Sequence, residues 1–194
     1  MTASRQRESM KRVSYWLMPA GPDQKTLSQI IRELAARYHG PVFDPHVTIY
    51  SGPLQESDEV QEIVTEATAT FSAFTLNATG IAHSGQFTKT LCFEFAEHET
   101  LTRLSHILRQ RMSARAEYVL RPHLSLIYAL LSEETRRKAA TEVGLPSAIH
   151  FDGIRAIRHY GVSTRRDVEA WETVAERNFK GEGRFGELTH DEGE

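Results

Sequence analysis

Hydrophobic positions in this chain switch repeatedly between a period of two and a period near 3.6. Val13 to Met18 (VSYWLM) is a β-branched and aromatic run closed by Pro19, which predicts a strand. A turn at Gly21 and Pro22 follows, and then Leu27, Ile30, Ile31, Leu34 and Tyr38 recur at helical spacing until Gly40-Pro41 stops them. Ser57 and Asp58 are placed to cap a second helix with an apolar face of Val60, Ile63, Val64, Ala67 and Phe71. Phe74 to Ile81 and Thr90 to Phe95 predict two strands, the latter alternating Leu91, Phe93 and Phe95 with Thr90, Cys92 and Glu94. A third helix carries Leu101, Leu104, Leu108 and Met112 inward. Ser132, with Glu133 and Glu134 behind it, opens a fourth that Gly144 and Pro146 end. Phe151 to Gly161 and Ala170 to Phe179 complete the chain as strands around a polar turn at Thr164 to Asp167.

Two further strands each follow a helix, in VFDPHVTIY and in EYVLRPHLSLIYAL. The mixed order of elements predicts an α+β fold with antiparallel sheets. Residues 13–179 are expected to form one domain, built as two small intertwined lobes. Residues 1–12 (MTASRQRESMKR) and the Gly- and Glu-rich residues 180–194 have no sustained periodicity and are expected to be flexible ends.

Composition narrows the function without naming it. The 194 residues are 40% hydrophobic and 25% charged, enough for a real core, and the net charge of -3 argues against a protein that grips long nucleic acid by neutralising many phosphates. A small anionic ligand needs only a local positive pocket. Cys92 is the sole cysteine, so no internal disulfide can form. No apolar run behind the first residues suits a signal peptide or a membrane span, and a cytoplasmic monomer is the expectation.

The chemistry is concentrated in Pro45-His46-Val47-Thr48-Ile49 and Pro122-His123-Leu124-Ser125-Leu126. In a strand, side chains two apart share a face, so each segment presents an imidazole and a hydroxyl together while its apolar residues enter the core. Opening a cyclic phosphodiester needs one group to deprotonate water and another, across the phosphorus, to protonate the departing oxygen. Imidazole, with an unperturbed pKa of about 6.5, serves either role near neutral pH. The hydroxyls of Thr48 and Ser125 can hold the non-bridging oxygens. The scheme requires neither metal nor cofactor, and two histidines without a third ligand are too few for zinc.

A lone strand histidine is ordinarily a hydrogen-bonded structural residue, and it is the pairing that favours catalysis. Among nine histidines there is a third match to the bare pattern, His98-Glu99-Thr100. It lacks the proline, has Glu in the apolar position and sits at a helix start, so it is set aside.

PHVTIY and PHLSLIY resemble the paired tetrapeptides of the 2H phosphoesterase superfamily. SYWLMP, GPVFDPHVTIY, PHLSLIYALLSEE and WETVAERNF are similar to its cyclic phosphodiesterase branch, known from plants and yeast, so the resemblance runs from about Ser14 to Phe179. It implies a bilobal fold with two antiparallel sheets facing a cleft and helices outside. It also implies hydrolysis of ADP-ribose 1'',2''-cyclic phosphate to ADP-ribose 1''-phosphate, and of nucleoside 2',3'-cyclic phosphates to 2'-phosphates. His46 and His123 would be the acid/base pair, and Thr48 and Ser125 the phosphate ligands. The plant enzymes carry disulfides, which this chain cannot form.

Trp16 aligns with a tryptophan of the family's first strand and is a candidate base-stacking surface, although strand aromatics are more often core. Tyr128 matches a pocket tyrosine, but strict alternation places it opposite His123, so that role requires a bulge or strand end. Phe87 is a candidate cleft wall, and Arg121 a candidate phosphate attractor. Two other readings stand beside the small-nucleotide one. An RNA end-processing enzyme would use Arg103, Arg109, Arg111 and Arg115 as a basic rim, although such a run is more often a solvated face. A non-catalytic RNA-binding domain would have no need of the acid/base pair.

Overall fold

The computed structural model describes residues 11–180. Most of both predicted flexible ends lies outside that span. Arg12, assigned by sequence to the first of them, opens β1 (Arg12–Pro19).

The remaining strands are β2 (Val47–Pro53), β3 (Phe74–His83), β4 (Leu91–Phe95), β5 (His123–Ile127), β6 (Ala148–His159) and β7 (Glu172–Asn178). The helices are α1 (Gly21–Tyr38), α2 (Val60–Thr70), α3 (Glu99–Arg111), α4 (Glu133–Glu142) and α5 (Arg165–Glu169). The α+β architecture is as expected. The two facing sheets are joined into one seven-stranded antiparallel sheet of order β1-β2-β5-β4-β3-β6-β7, and β1 also pairs with β6. Six strands therefore close a hydrogen-bonded circuit to which β7 is added. At twelve residues β6 is long enough to serve both halves: Ala148 to Phe151 pair with β3, while Gly153 to Arg158 pair with β7 on the same edge. On the opposite half of the circuit, β2 and β5 meet at the single pair Val47 and Leu124.

One apolar core holds this together. It takes Val13, Tyr15 and Leu17 from β1, Leu27, Ile31 and Leu34 from α1, Leu101, Leu104 and Leu108 from α3, and both Val47 and Leu124, which are fully buried. The alternation that predicted the strands is the cause, since every second residue faces this core. The opposite face of β1 is also covered, by a smaller cluster of Trp16, Met18 and Ile157 with Trp171 packed on it.

Three local expectations are corrected. Gly21 and Pro22 form the first turn of α1, where a proline's missing N–H and fixed φ cost nothing. Ser57 and Asp58 do not cap α2, whose N-cap is Glu59. The Asp58 carboxylate instead accepts from the backbone N–H groups of Gln55 and Ser113, at 2.8 Å each, tying the entry of α2 to the exit of α3. The polar turn at Thr164 to Asp167 is the start of α5, because those residues form a reciprocal capping box. Ser132 caps α4 as predicted, accepting from Thr135.

Candidate active site

The Val47 and Leu124 pair places the two motifs back to back. In an antiparallel pair, residues flanking one partner face those flanking the other in reverse order. His46 therefore lies across from Ser125, and Thr48 across from His123, a local two-fold arrangement on the face opposite the core. His46, Thr48 and His123 line one cavity of about 320 Å³, while Ser125 is buried behind Thr88, which lines it.

The proline in each motif has a visible consequence. Pro45 and Pro122 hold the preceding residues extended, and the carbonyls of Asp44 and Arg121 turn back onto the imidazoles. His46 Nδ1 lies 2.6 Å from the Asp44 oxygen, and His123 Nδ1 lies 2.7 Å from the Arg121 oxygen. A carbonyl only accepts, so each Nδ1 carries the proton and each Nε2 is left for chemistry. Asp44 is itself anchored, its carboxylate paired with Arg155, which also binds Glu176 at 2.9 Å.

Burial pulls the pKa of His46 down to about 4, opposed by the Asp44 carbonyl and assisted by the charge of His123. Burial also lowers His123, with Lys89 acting the same way and the Arg121 carbonyl and Glu94 acting against it. Glu94 is the direct cross-strand neighbour of His123. Lys89, at the end of a short 3-10 turn (Phe87–Lys89), lines the cavity; its sequence context carried no signal beyond a charge in a turn.

Each motif is followed by a β-bulge. Against β1, Tyr15 pairs with Tyr50 and Trp16 with Thr48, leaving Ile49 extra on β2. Against β4, Leu91 pairs with Ile127 and Cys92 with Ser125, leaving Leu126 extra on β5. An extra residue reverses the alternation beyond it. The bulge at Leu126 is what brings Tyr128 onto the face of His123. Gly40 then allows the chain after α1 to approach Tyr128 closely, since a Cβ there would sit 3.0 Å from the Tyr128 carbonyl oxygen.

The remaining candidates divide. Trp16 lines the cavity but is only 5% exposed, and its indole is stacked on the His46 imidazole at 3.7 Å between centroids, with Trp171 edge-on at 5.1 Å. That face is taken by the histidine, which favours a positioning role over an open stacking surface. Tyr128 and Arg121 both line the cavity, whereas Phe87 packs behind Tyr128, at 5.9 Å, and lines a neighbouring groove. Half-buried Trp171 and Tyr118 are cavity aromatics that alternation alone did not single out. The Ser125 hydroxyl donates to the Thr88 carbonyl at 2.7 Å, and the Thr48 carbonyl accepts from Tyr118 at 2.9 Å. His98 is the N-cap residue of α3 and stacks on Phe74, as its exclusion required. The α3 arginines do not line the cavity: Arg111 pairs with Glu66, and Arg103 lies over the Phe71 ring.

Residues 10–179 match the family model described as cyclic phosphodiesterase-like protein. The chain belongs to that family. The cyclic phosphodiesterase of Arabidopsis thaliana is 24% identical over 170 residues, covering 86% of this chain and 94% of that protein. Among solved structures, LigT of E. coli complexed with 3'-AMP superposes with a TM-score of 0.56 at 12% identity, covering 88% of this chain and 98% of that one. A structure described as a phosphoesterase gives the same TM-score at 13% identity, covering 87% and 98%. At these identities the structural likeness establishes the fold alone. The family membership bears out the resemblance read from the motifs and, at family level, the expected class of enzyme, a cyclic phosphodiesterase. Among the described residues no helix is long and apolar enough to cross a membrane.

Proposed function

We propose that this protein hydrolyses cyclic phosphates of small nucleotides, opening nucleoside 2',3'-cyclic phosphates to 2'-phosphates and ADP-ribose 1'',2''-cyclic phosphate to ADP-ribose 1''-phosphate. The observation that carries this reading is the paired geometry. Two imidazoles, each with Nδ1 tied to a carbonyl two residues back, flank one antiparallel pair and share a cavity with the Thr48 hydroxyl, while the Ser125 hydroxyl lies buried beside it on the Thr88 carbonyl.

A neutral Nε2 on one side takes a proton from water as the water oxygen bonds to phosphorus. The bond to the departing ribose oxygen breaks in line, and the protonated Nε2 of the other histidine supplies that oxygen with its proton. The hydroxyls of Thr48 and Ser125 donate to the non-bridging oxygens, Ser125 by turning from the Thr88 carbonyl. Lys89 and Arg121 offset the phosphate's charge. Which histidine is base follows from the direction in which the substrate lies.

The cavity volume suits a mononucleotide or dinucleotide better than a long strand. Neither the α3 arginines nor Arg115, the basic rim of the RNA-end reading, line the cavity. Purified protein incubated in EDTA with ADP-ribose 1'',2''-cyclic phosphate and the four nucleoside 2',3'-cyclic phosphates tests the proposal. Turnover to the 2'- and 1''-phosphates is expected, and no turnover of any substrate would refute it. His46→Ala and His123→Ala are each expected to lower kcat by about a hundredfold to ten-thousandfold with the fold intact, as loss of a general acid or base does.

A further inference from the structure

The cavity continues past Trp16 into a second polar cluster that the hydrolytic step does not use. Arg12, Ser14 and Trp16 occupy alternate positions on the cleft face of β1. At about 3.3 Å of rise per residue, Ser14 lies roughly 7 Å and Arg12 roughly 13 Å along the strand from the tryptophan that carries His46. Ser51 of β2 is the direct cross-strand partner of Ser14, and His159 of β6 that of Arg12.

These residues form a hydrogen-bonded chain. His159 Nε2 lies 2.8 Å from Ser14 Oγ, which donates in turn to Ser51 Oγ at 2.9 Å. With the Ser14 proton committed to Ser51, the His159 Nε2–H is the donor to Ser14. The chain therefore ends on Ser51, whose own hydroxyl hydrogen has no acceptor among the described residues and sits at the cavity wall. His159 and Ser14 are buried, at 3% and 7% exposure, so this is an ordered polar floor beneath the cavity. Above it stands Arg12, which makes no salt bridge among the described residues, whereas Arg155 and Arg158 on the same sheet are both paired with carboxylates. No Asp or Glu lines the cavity among those residues.

We propose that Arg12 and Ser51, held by Ser14 and His159, form a subsite for a second, non-reacting phosphoryl group on the far side of the substrate's ribose. The inference rests on the cyclic phosphodiesterase reading and deepens it. A sugar hydroxyl would satisfy Ser51 but would leave the guanidinium without a counter-charge. A phosphoryl group satisfies both, and the spacing from His46 is one that a ribose phosphorylated at both ends can bridge. The enzyme thereby prefers cyclic phosphates whose 5' position carries phosphate, including the pyrophosphate of a dinucleotide, over unphosphorylated nucleoside cyclic phosphates.

The test compares adenosine 2',3'-cyclic phosphate with its 5'-phosphorylated counterpart. The wild-type protein is expected to favour the second by about tenfold or more in kcat/KM, chiefly through KM, the size of one charge-assisted contact. In Arg12→Gln the ratio is expected to fall to within about twofold of one. In Ser51→Ala it falls part of the way, and in Arg137→Gln, on the exposed side of α4, it is unchanged. A wild-type ratio near one, or a ratio unaltered in Arg12→Gln, overturns the subsite. Calorimetric binding of adenosine 2',5'-bisphosphate and adenosine 2'-phosphate decides the matter apart from turnover. Tighter binding of the bisphosphate, lost in Arg12→Gln, supports the subsite even where neither cyclic substrate is hydrolysed and the activity reading fails; equal binding refutes it.

Discussion

At the scale of single residues, the site combines two histidines that are matched in backbone contacts and unequal in surroundings. Both donate Nδ1–H to a carbonyl, but His46 is buried against Trp16 while His123 is partly open. Burial is the largest cause of the depressed His46 pKa, and Trp16 covers one face of its ring. Trp16→Ala is therefore expected to raise that pKa from about 4 toward the ordinary 6.5 as water reaches the ring, which NMR titration of the imidazole resonances measures. An unmoved value would show that the desolvation comes from elsewhere. The same substitution removes a packed indole and is expected to cost about 3 to 5 kcal/mol. A second consequence concerns rate. Both histidines are shifted below 6.5 in the protein without substrate, and the proposed reaction needs one of them protonated and the other neutral. kcat/KM is thus expected to peak on the acidic side of pH 6.5, rising with pH through the lower of the two pKa values as the base loses its proton and falling through the higher as the acid loses its own. The bound phosphate's negative charge raises the histidine pKa, so the optimum of kcat lies at higher pH than that of kcat/KM. Coincident optima, or a kcat/KM maximum above neutrality, would contradict this account.

At the scale of elements, the sequence carried the strands and the four longer helices because their apolar periods are strong, and His46, Thr48, His123 and Ser125 were legible because a period of two must put each pair on one face. The bulges were not legible. Ile49 and Leu126 are as apolar as their neighbours, and only the register against β1 and β4 shows that each is the extra residue. Tyr128 consequently looked misplaced until Leu126 was seen to reverse the alternation. Lys89, Trp171 and the Arg12 cluster were missed for a related reason: what makes them notable is convergence from separate strands and loops, which local spacing does not encode. The same holds for Asp58, whose cap-like position hid a longer-range contact. Its carboxylate accepts two backbone N–H groups, one from across the α2 and α3 junction, whereas Ser57 makes one side-chain hydrogen bond to Ser113 at 3.0 Å. Asp58→Ala is expected to destabilise the protein by about 2 kcal/mol and Ser57→Ala by under about 0.5 kcal/mol, in urea unfolding monitored by circular dichroism. Equal small losses would mean that the Asp58 contacts do not hold the two helices together.

At the scale of the whole molecule, a single core sits behind the motifs, while the cleft face is built from buried polar and aromatic side chains whose ionisation is linked to folding. His46 and His159 are both pulled down to about 4, in each case first by burial; Arg12 adds to the effect at His159, and His123 and Arg155 add to it at His46. A histidine whose folded pKa lies below its unfolded value binds its proton more readily when the chain is unfolded. Its contribution to stability is therefore complete above about pH 6.5 and is lost as pH falls toward 4. Shifts of this size correspond to about 3 kcal/mol for each ring at the low end of that window. Asp167, held below the usual carboxylate range by the backbone and hydroxyl groups of Ser163 and Thr164, acts in the same direction at lower pH. Urea unfolding at intervals from pH 7.5 to 4.5 is thus expected to show stability flat above neutrality and falling steadily below 6.5, with little change in the denaturant slope. His159→Gln removes one titrating ring while its side-chain amide can still donate to Ser14, so it is expected to reduce the loss across that window by about half. A wild-type stability that stays level between pH 6.5 and 4.5 would mean that the buried rings take up protons without unfolding the sheet. The cleft would then have to admit water more freely than the packing of Trp16, Trp171 and Ile157 over β1 and β6 allows.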